Sequence, residues 1–352
     1  MVPAGHPARG YGRFLCRHRA ARSPGVPRSA CSGGRHGQNG AGVVSTCSYE
    51  ARRFGIRSAM PLSQAQRLCP HAIFLPVDLP HYVGVSRQLH ALLQSFSPLV
   101  EQASLDEAYL DLTRVRDEYP SLRALGRAIQ ERIRKELALS ASIGISFNKF
   151  AAKVASDLEK PGGLTVIEPA DFARVVLPLP LERIPGVGER TAHRLRSLGA
   201  RTIGDVKALP KQVLRSLFGR AGEEIYYLVR GLDLRPVKPE GQPRSVGHEL
   251  TFPCDLQGEK ELRQHLDAVV RVVAARLAEK GLQGRTVTLK ARLAGFTSVT
   301  RRLTLDAPTS DRALLRQVAH RLLSRLPHSQ PVRLLGVAVG ELSSAQQLTL
   351  FP

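Results

Sequence analysis

The sequence predicts an α+β protein of several domains, and three stretches carry that reading. Val100 to Leu112 alternates apolar and polar residues on either side of an acidic turn, as a half-buried hairpin requires. Asp171 to Asp233 reads as helical around the glycine turn Ile184-Pro185-Gly186-Val187-Gly188. From Arg244 to Gly340, period-two runs alternate with two long amphipathic segments, the pattern of an antiparallel sheet with helices on one face. A chain of 352 residues allows roughly two to four domains.

Composition narrows the class of partner. Lys and Arg number 51 against 30 Asp and Glu, a formal charge of +21 and a pI near 10.6. A polyanion is the partner this favours, nucleic acid first and an anionic membrane surface second. The sequence has neither a spanning apolar run nor a signal-peptide core, so a cytoplasmic protein without membrane attachment is expected. The five cysteines lack metal-ligand spacing and read as reduced thiols. Trp is absent and aromatic residues are few, which favours contact with a nucleic-acid backbone over base stacking.

The first 41 residues contain no acidic residue and no helical or strand period, so they are expected to form a disordered basic arm. Val43 to Cys47 then reads as a strand, followed by a helix from Tyr49 and a second near Leu62 to Leu68, a small α-rich unit spanning 42–77. Tyr82 to Phe96 is amphipathic and helical. Ser121 to Leu137 carries Leu122, Leu125, Ile129 and Ile133 at helical spacing. Ala141, Ile143 and Ile145 alternate with Ser142, Gly144 and Ser146, a strand expected beside the hairpin.

Asn148 caps a helix that turns Phe150, Val154 and Leu158 inward and ends at Lys160-Pro161-Gly162-Gly163. Residues 234–243 are Pro-rich and polar, a linker. Beyond it the expected strands are Val246–Phe252, Arg285–Ala294, Val299–Leu305 and Arg333–Gly340, with helices at Lys260–Lys280 and Asp311–Leu326. The terminal Gln347-Leu348-Thr349-Leu350-Phe351 is apolar where a free end is normally polar, so a partner is expected to cover it.

The chemistry concentrates at Asp106 and Glu107. Adjacent carboxylates at a turn repel one another unless a cation neutralises them, and hard oxygen donors suit Mg²⁺. Solvation of the pair at a surface turn is the alternative.

Between Gly42 and Pro352 the chain carries, in order, VVSTCSYEARRFGIRSAMP, SLDEAYLD, SIGISFNKFAAKVASDLEKPGG, IPGVGERTAHRL, RSVGHELTF and the terminal QLTLF. In these motifs and their order it resembles the Y-family DNA polymerases of the bacterial DNA polymerase IV type. The resemblance implies a right-hand architecture with fingers (42–77), palm (78–166), helix-hairpin-helix thumb (167–233), linker (234–243), little finger (244–341) and clamp-binding tail (342–352).

The activity implied is template-directed nucleotidyl transfer from a dNTP to a primer 3′-hydroxyl, low-fidelity translesion synthesis assisted by two Mg²⁺ ions. Asp106 and Glu107 would hold the metals, and Thr46, Tyr49, Arg52 and Lys160 the triphosphate. Residues Gly186, Val187 and Gly188 of the thumb, with Arg244, Ser245, Arg301 and Arg302 of the little finger, would contact DNA. Gln347, Leu348, Leu350 and Phe351 would engage the sliding clamp. The partners implied are primer-template DNA, dNTP and the clamp, with the enzyme itself a monomer.

One departure stands out. The family opens on a strand of the type ILHVDMDAFFA, which holds a further metal-binding Asp, whereas His6 to Cys16 reads HPARGYGRFLC. One set of codons for those residues, read from the second nucleotide, spells ILHVDMDAFF and then Ala. Arg19-Ala20-Ala21-Arg22 conceals EQRD in the same way. The opening residues are therefore expected to be an out-of-frame translation, with the frame restored near Gly40 to Gly42.

The literal chain then lacks a carboxylate, the aromatic that excludes a ribose 2′-hydroxyl, and the strand facing Asp106. Three readings follow: a polymerase, a catalytically impaired DNA- and clamp-binding protein, and an RNA-binding module with a helix-hairpin-helix.

Overall fold

The computed structural model describes residues 8–10, 30–33, 42–239, 241, 243–327 and 330–345, and the chain divides into two compact units, 1–240 and 241–352.

In the first unit a five-stranded sheet forms the platform. Its order is β5 (Val100–Gln102), β6 (Ala108–Leu110), β1 (Ala8–Gly10), β7 (Ser142–Ser146) and β8 (Leu164–Ile167). All neighbours are antiparallel except β7 and β8. Helices α3 (Leu79–Gln94) and α4 (Leu122–Leu137) cover one face. Leu89 and Leu93 of α3 and Leu125, Ile129 and Ile133 of α4 pack there on Leu110, Ile143 and Ile145, all of them at most 3% exposed. Truncating one such side chain to Ala costs about 2–5 kcal/mol.

On the other face lies α5 (Lys149–Leu158), capped by Asn148, whose side chain accepts from the Ala151 amide. A Cβ at Gly144 of β7 would stand 2.1 Å from the Ala152 carbonyl oxygen and 2.3 Å from the Ser156 amide nitrogen. Only glycine lets the helix backbone lie this close to the strand.

A smaller three-stranded sheet orders β3 (Val44–Cys47), β2 (Ala30–Gly33) and β4 (Ile73–Pro76), with α1 (Tyr49–Arg53) and α2 (Leu62–Leu68) beside it. Downstream come α6 (Phe172–Val176), α7 (Glu189–Arg196), α8 (Ile203–Ala208), α9 (Lys211–Phe218) and α10 (Arg220–Leu228). Their core also takes in Phe150 and Val154 of α5, so the helical region and the platform share one helix.

The second unit is an antiparallel sheet in the order β11 (Ser298–Thr309), β10 (Leu282–Leu293), β12 (Val332–Ser344) and β9 (Ser245–Leu256). Helices α11 (Glu259–Glu279) and α12 (Arg312–Leu323) pack on one face. The predicted α+β plan holds. β9, β11 and β12 each run four residues beyond their predicted ends, and β10 begins three residues before its predicted start, because these exposed or polar end positions show little hydrophobic contrast. Pro253 is accommodated because β9 is an edge strand.

Three expectations need correction. Residues 1–41 are not wholly irregular, since β1 and β2 both fall within them. β1 occupies the centre of the five-stranded sheet, so the strand facing Asp106 exists as backbone even though its residues are Ala8, Arg9 and Gly10. Strands of three and four residues are too short to show a period, and ladder pairing uses main-chain groups that any residue supplies. With β2 added, the region expected to be α-rich also contains a sheet.

The linker, third, is docked over part of its length. Val237 is 5% exposed and the Lys238 amide donates to Glu101 at 2.8 Å. The terminal residues Gln347, Leu348, Leu350 and Phe351 lie outside the described residues.

Candidate active site and nucleic-acid face

Asp106 and Glu107 sit in the turn between β5 and β6, where the amides of Ala103 and Ser104 both donate to the Glu107 carbonyl. Both side chains are half-buried. Ser104 Oγ donates to Asp106 Oδ1 at 2.7 Å, which aims that carboxylate within the turn. Glu107 Oε1 accepts from Lys153 Nζ of α5.

Helical spacing explains that contact. Lys149, Lys153 and Asp157 fall at successive i, i+4 positions and make one row along α5, which runs past the acidic hairpin. Lys149 Nζ reaches Glu101 of β5 at 2.5 Å. Lys153 pairs with Glu107 and stands 3.9 Å from Asp157, and Asp157 in turn pairs with Lys160 just beyond the helix. A continuous line of alternating charge thus joins the predicted metal carboxylate Glu107 to the predicted triphosphate contact Lys160.

The upper end of the row is firmly built. Lys149 is 6% exposed and lies 4.7 Å from the centroid of the Tyr109 ring. Burial, with a further contribution from the Glu107 charge, pushes the Tyr109 phenol up to about 12, so it stays neutral. Asp233, with a side chain only 1% exposed, accepts from the Phe150 amide at 3.0 Å and from Arg235 Nε at 2.7 Å. Burial alone would raise the Asp233 carboxyl, but the Arg235 hydrogen bonds and charge hold it below its ordinary value. Asn148 Nδ2 donates to the Gly231 carbonyl at 2.8 Å. The start of α5 is therefore tied to the segment that follows α10.

Thr46, Tyr49 and Arg52 belong to the smaller sheet unit. Thr46 is buried in β3, Tyr49 is half-buried, and the exposed Arg52 guanidinium lies 5.7 Å from the Tyr49 ring centroid. Arg52 forms no ion pair with Asp106 or Glu107, so the structure joins Lys160, but not Arg52, to the acidic pair.

The glycine turn forms as its residues predict. Gly186 has φ +86, a conformation that strains any side chain, Val187 is buried, and Gly188 caps α7. The turn thus leaves main-chain groups at a helix N-terminus facing outward, where a phosphate is favoured.

In the four-stranded sheet, register separates two neighbouring arginines. Arg302 pairs with Thr288 on the face away from the helices, whereas Arg301 pairs with the buried Leu289 and donates to the Arg325 carbonyl at 3.3 Å. Ser245 pairs with Gly340 on the same open face as Arg302, and Arg244 is exposed just before β9. Parity also places Lys290 and Arg292 on that face, beside small residues at Gly247, Gly336 and Ala338.

Sequence reading missed Lys290 and Arg292, although their alternation with Leu289, Ala291 and Leu293 was available as a signal. It also missed Lys153, whose signal was the lysine row on α5.

Among the described residues there is no cluster of three or more potential metal-ligating side chains, and no helix is long and apolar enough to cross a membrane.

Three family models match the chain. That of the impB/mucB/samB family covers 24–157, that of its C-terminal domain 243–350, and that of the DNA polymerase-iota thumb domain 182–233. DNA polymerase IV of Methanoculleus marisnigri is 42% identical over 306 residues, 87% of this chain and 85% of the relative. DNA polymerase IV of Alkalilimnicola ehrlichii is 43% identical over 326 residues, 89% and 90% of the two chains. A Y-family DNA polymerase chimera of Dbh and Dpo4 superposes with a TM-score of 0.86 at 26% identity, over 96% of this chain and 98% of the other.

Proposed function

The chain belongs to the Y-family DNA polymerases of the DNA polymerase IV type and is a DNA-directed DNA polymerase, and on that premise we propose which residues do the chemistry and where this chain falls short of it. Asp106 and Glu107 hold the divalent metal, which when bound makes the primer 3′-hydroxyl a better nucleophile and steadies the leaving oxygens. Lys160 and Arg52, with Thr46 and Tyr49, hold the triphosphate and offset the charge that gathers on pyrophosphate. The observation that carries this reading is the row from Glu107 through Lys153 and Asp157 to Lys160, which brings the acidic turn and the basic turn to one side of α5.

The donor chemistry fits Mg²⁺, since both candidates are half-buried oxygen ligands on a hydrogen-bonded turn. Two carboxylates are few for two ions. Ala8 pairs with Tyr109 in an antiparallel ladder, and continuing that register by two residues brings Gly10 abreast of Glu107. In the shifted frame the residue concealed at Gly10 is Asp, the one that HVD supplies. Register and codon arithmetic are independent, and both support an out-of-frame N-terminus whose lost carboxylate belongs beside Glu107.

The glycine turn at Gly186 to Gly188 and the open face bearing Arg244, Ser245, Arg302, Lys290 and Arg292 hold the primer-template through its phosphates. Arg301 leaves that set. The clamp-binding role of Gln347, Leu348, Leu350 and Phe351 and a monomeric state rest on the resemblance alone.

A second reading is favoured by one observation: β1 carries Ala-Arg-Gly where the family carries its first metal-binding Asp. The literal chain would then bind DNA without extending a primer. Primer extension by the chain as written, beside a chain with the frame restored, decides between them. Activity confined to the restored chain supports the account, and robust synthesis by the literal chain refutes the impairment.

A further inference from the structure

Glu107 is engaged by a side chain of the protein itself. Its carboxylate takes the Lys153 ammonium, and both partners are largely shielded, with side-chain exposures of 33% and 18%. A divalent ion reaching Glu107 meets a positive charge already in place, and at such separations like charges compete strongly. Lys153 has somewhere to go. Asp157 Oδ2 is 3.9 Å from its Nζ, the loosest contact in the row, and a lysine ammonium on a flexible four-carbon stem can exchange one carboxylate for the other. The Phe150 and Val154 side of α5 is locked in the core and its backbone lies against Gly144, so the helix holds still while the side chain moves.

We propose that Lys153 is a positioning residue that acts as the resident cation of Glu107, holding the carboxylate in the metal-free site and passing to Asp157 when the divalent ion binds. The proposal rests on the reading of Glu107 as a metal ligand. It assigns Asp157 a task as well: as the acceptor of the displaced ammonium, Asp157 eases metal entry.

The test is Mn²⁺ binding to the full-length chain without nucleotide, read from the electron paramagnetic resonance signal of the free ion. Lys153→Met should bind Mn²⁺ about tenfold more tightly, because the competing charge is gone, while Lys153→Arg, which keeps that charge, should bind as the unaltered chain does. Asp157→Asn should weaken binding several-fold, and that loss should vanish in the Lys153→Met background. Lys153→Gln, read beside its thermal melt, replaces Lys153→Met if the latter does not fold.

Unchanged or weaker binding by Lys153→Met, or an Asp157→Asn effect that survives without Lys153, overturns the proposal. Glu107→Gln separates the two levels of the argument. If it leaves Mn²⁺ binding unchanged, the metal reading itself fails, whereas weakened binding with no Lys153 effect removes only the resident-cation role.

Discussion

Arg301 and Arg302 are neighbours in sequence that lie on opposite faces of the four-stranded sheet, one abreast of the buried Leu289 and the other abreast of Thr288. If the open face meets the DNA backbone, Arg302→Ala should weaken binding about equally for all duplex sequences and lower the slope of log K against log salt by about 1. Arg301→Ala should leave that slope unchanged. Fluorescence anisotropy across a salt series measures both, and equal slopes for the two variants would exclude this face.

The glycine turn makes a second prediction. Gly186→Ala puts a Cβ on a residue at φ +86, a strain of about 1–2 kcal/mol. Nothing lies within 4 Å of that Cβ, so the fault is in the backbone rather than in packing. The variant should lose both thermal stability and duplex affinity, and Gly188→Ala, at φ −84, should keep its stability. Calorimetry with a binding titration separates the two effects.

A pH dependence follows from Asp233. Its folded-state carboxyl lies below the ordinary value, so the ionised form stabilises the fold above the unfolded value near pH 4. That contribution is lost as pH falls through the lower folded value. Asp233→Asn should cost about 1–3 kcal/mol at neutral pH and flatten the stability profile below about pH 4. Urea denaturation at pH 7, 4 and 3 reads both.

How much of this was legible depends on how far apart the cooperating residues lie. The Asn148 cap, the Gly186 turn and the buried row Leu125, Ile129 and Ile133 are local, and their residues announced them. The strand Ala8–Gly10 was not legible as structure, because its partners Tyr109 and Ile143 are more than a hundred residues away and three residues carry no period. Arg301 was grouped with Arg302 because the face each occupies depends on the register against β10, which sequence alone leaves open. The acidic pair was singled out by its chemistry together with the family resemblance, whereas Lys153, the partner of Glu107 across the fold, was passed over as one lysine among many. Docking of the linker at Val237 and Lys238 was hidden by a polar, Pro-rich composition that describes its exterior rather than its contacts.

The central claim is that Asp106 and Glu107 hold a divalent metal against a dNTP, with the lost carboxylate belonging at position 10. It is tested most directly by single-nucleotide incorporation with Mg²⁺ on a primed template, comparing the literal chain, the frame-restored chain and the frame-restored chain with Asp106→Asn. The account predicts incorporation by the restored chain alone, with the literal chain and the Asp106→Asn variant lower by at least about a thousandfold. Comparable incorporation by all three would contradict it.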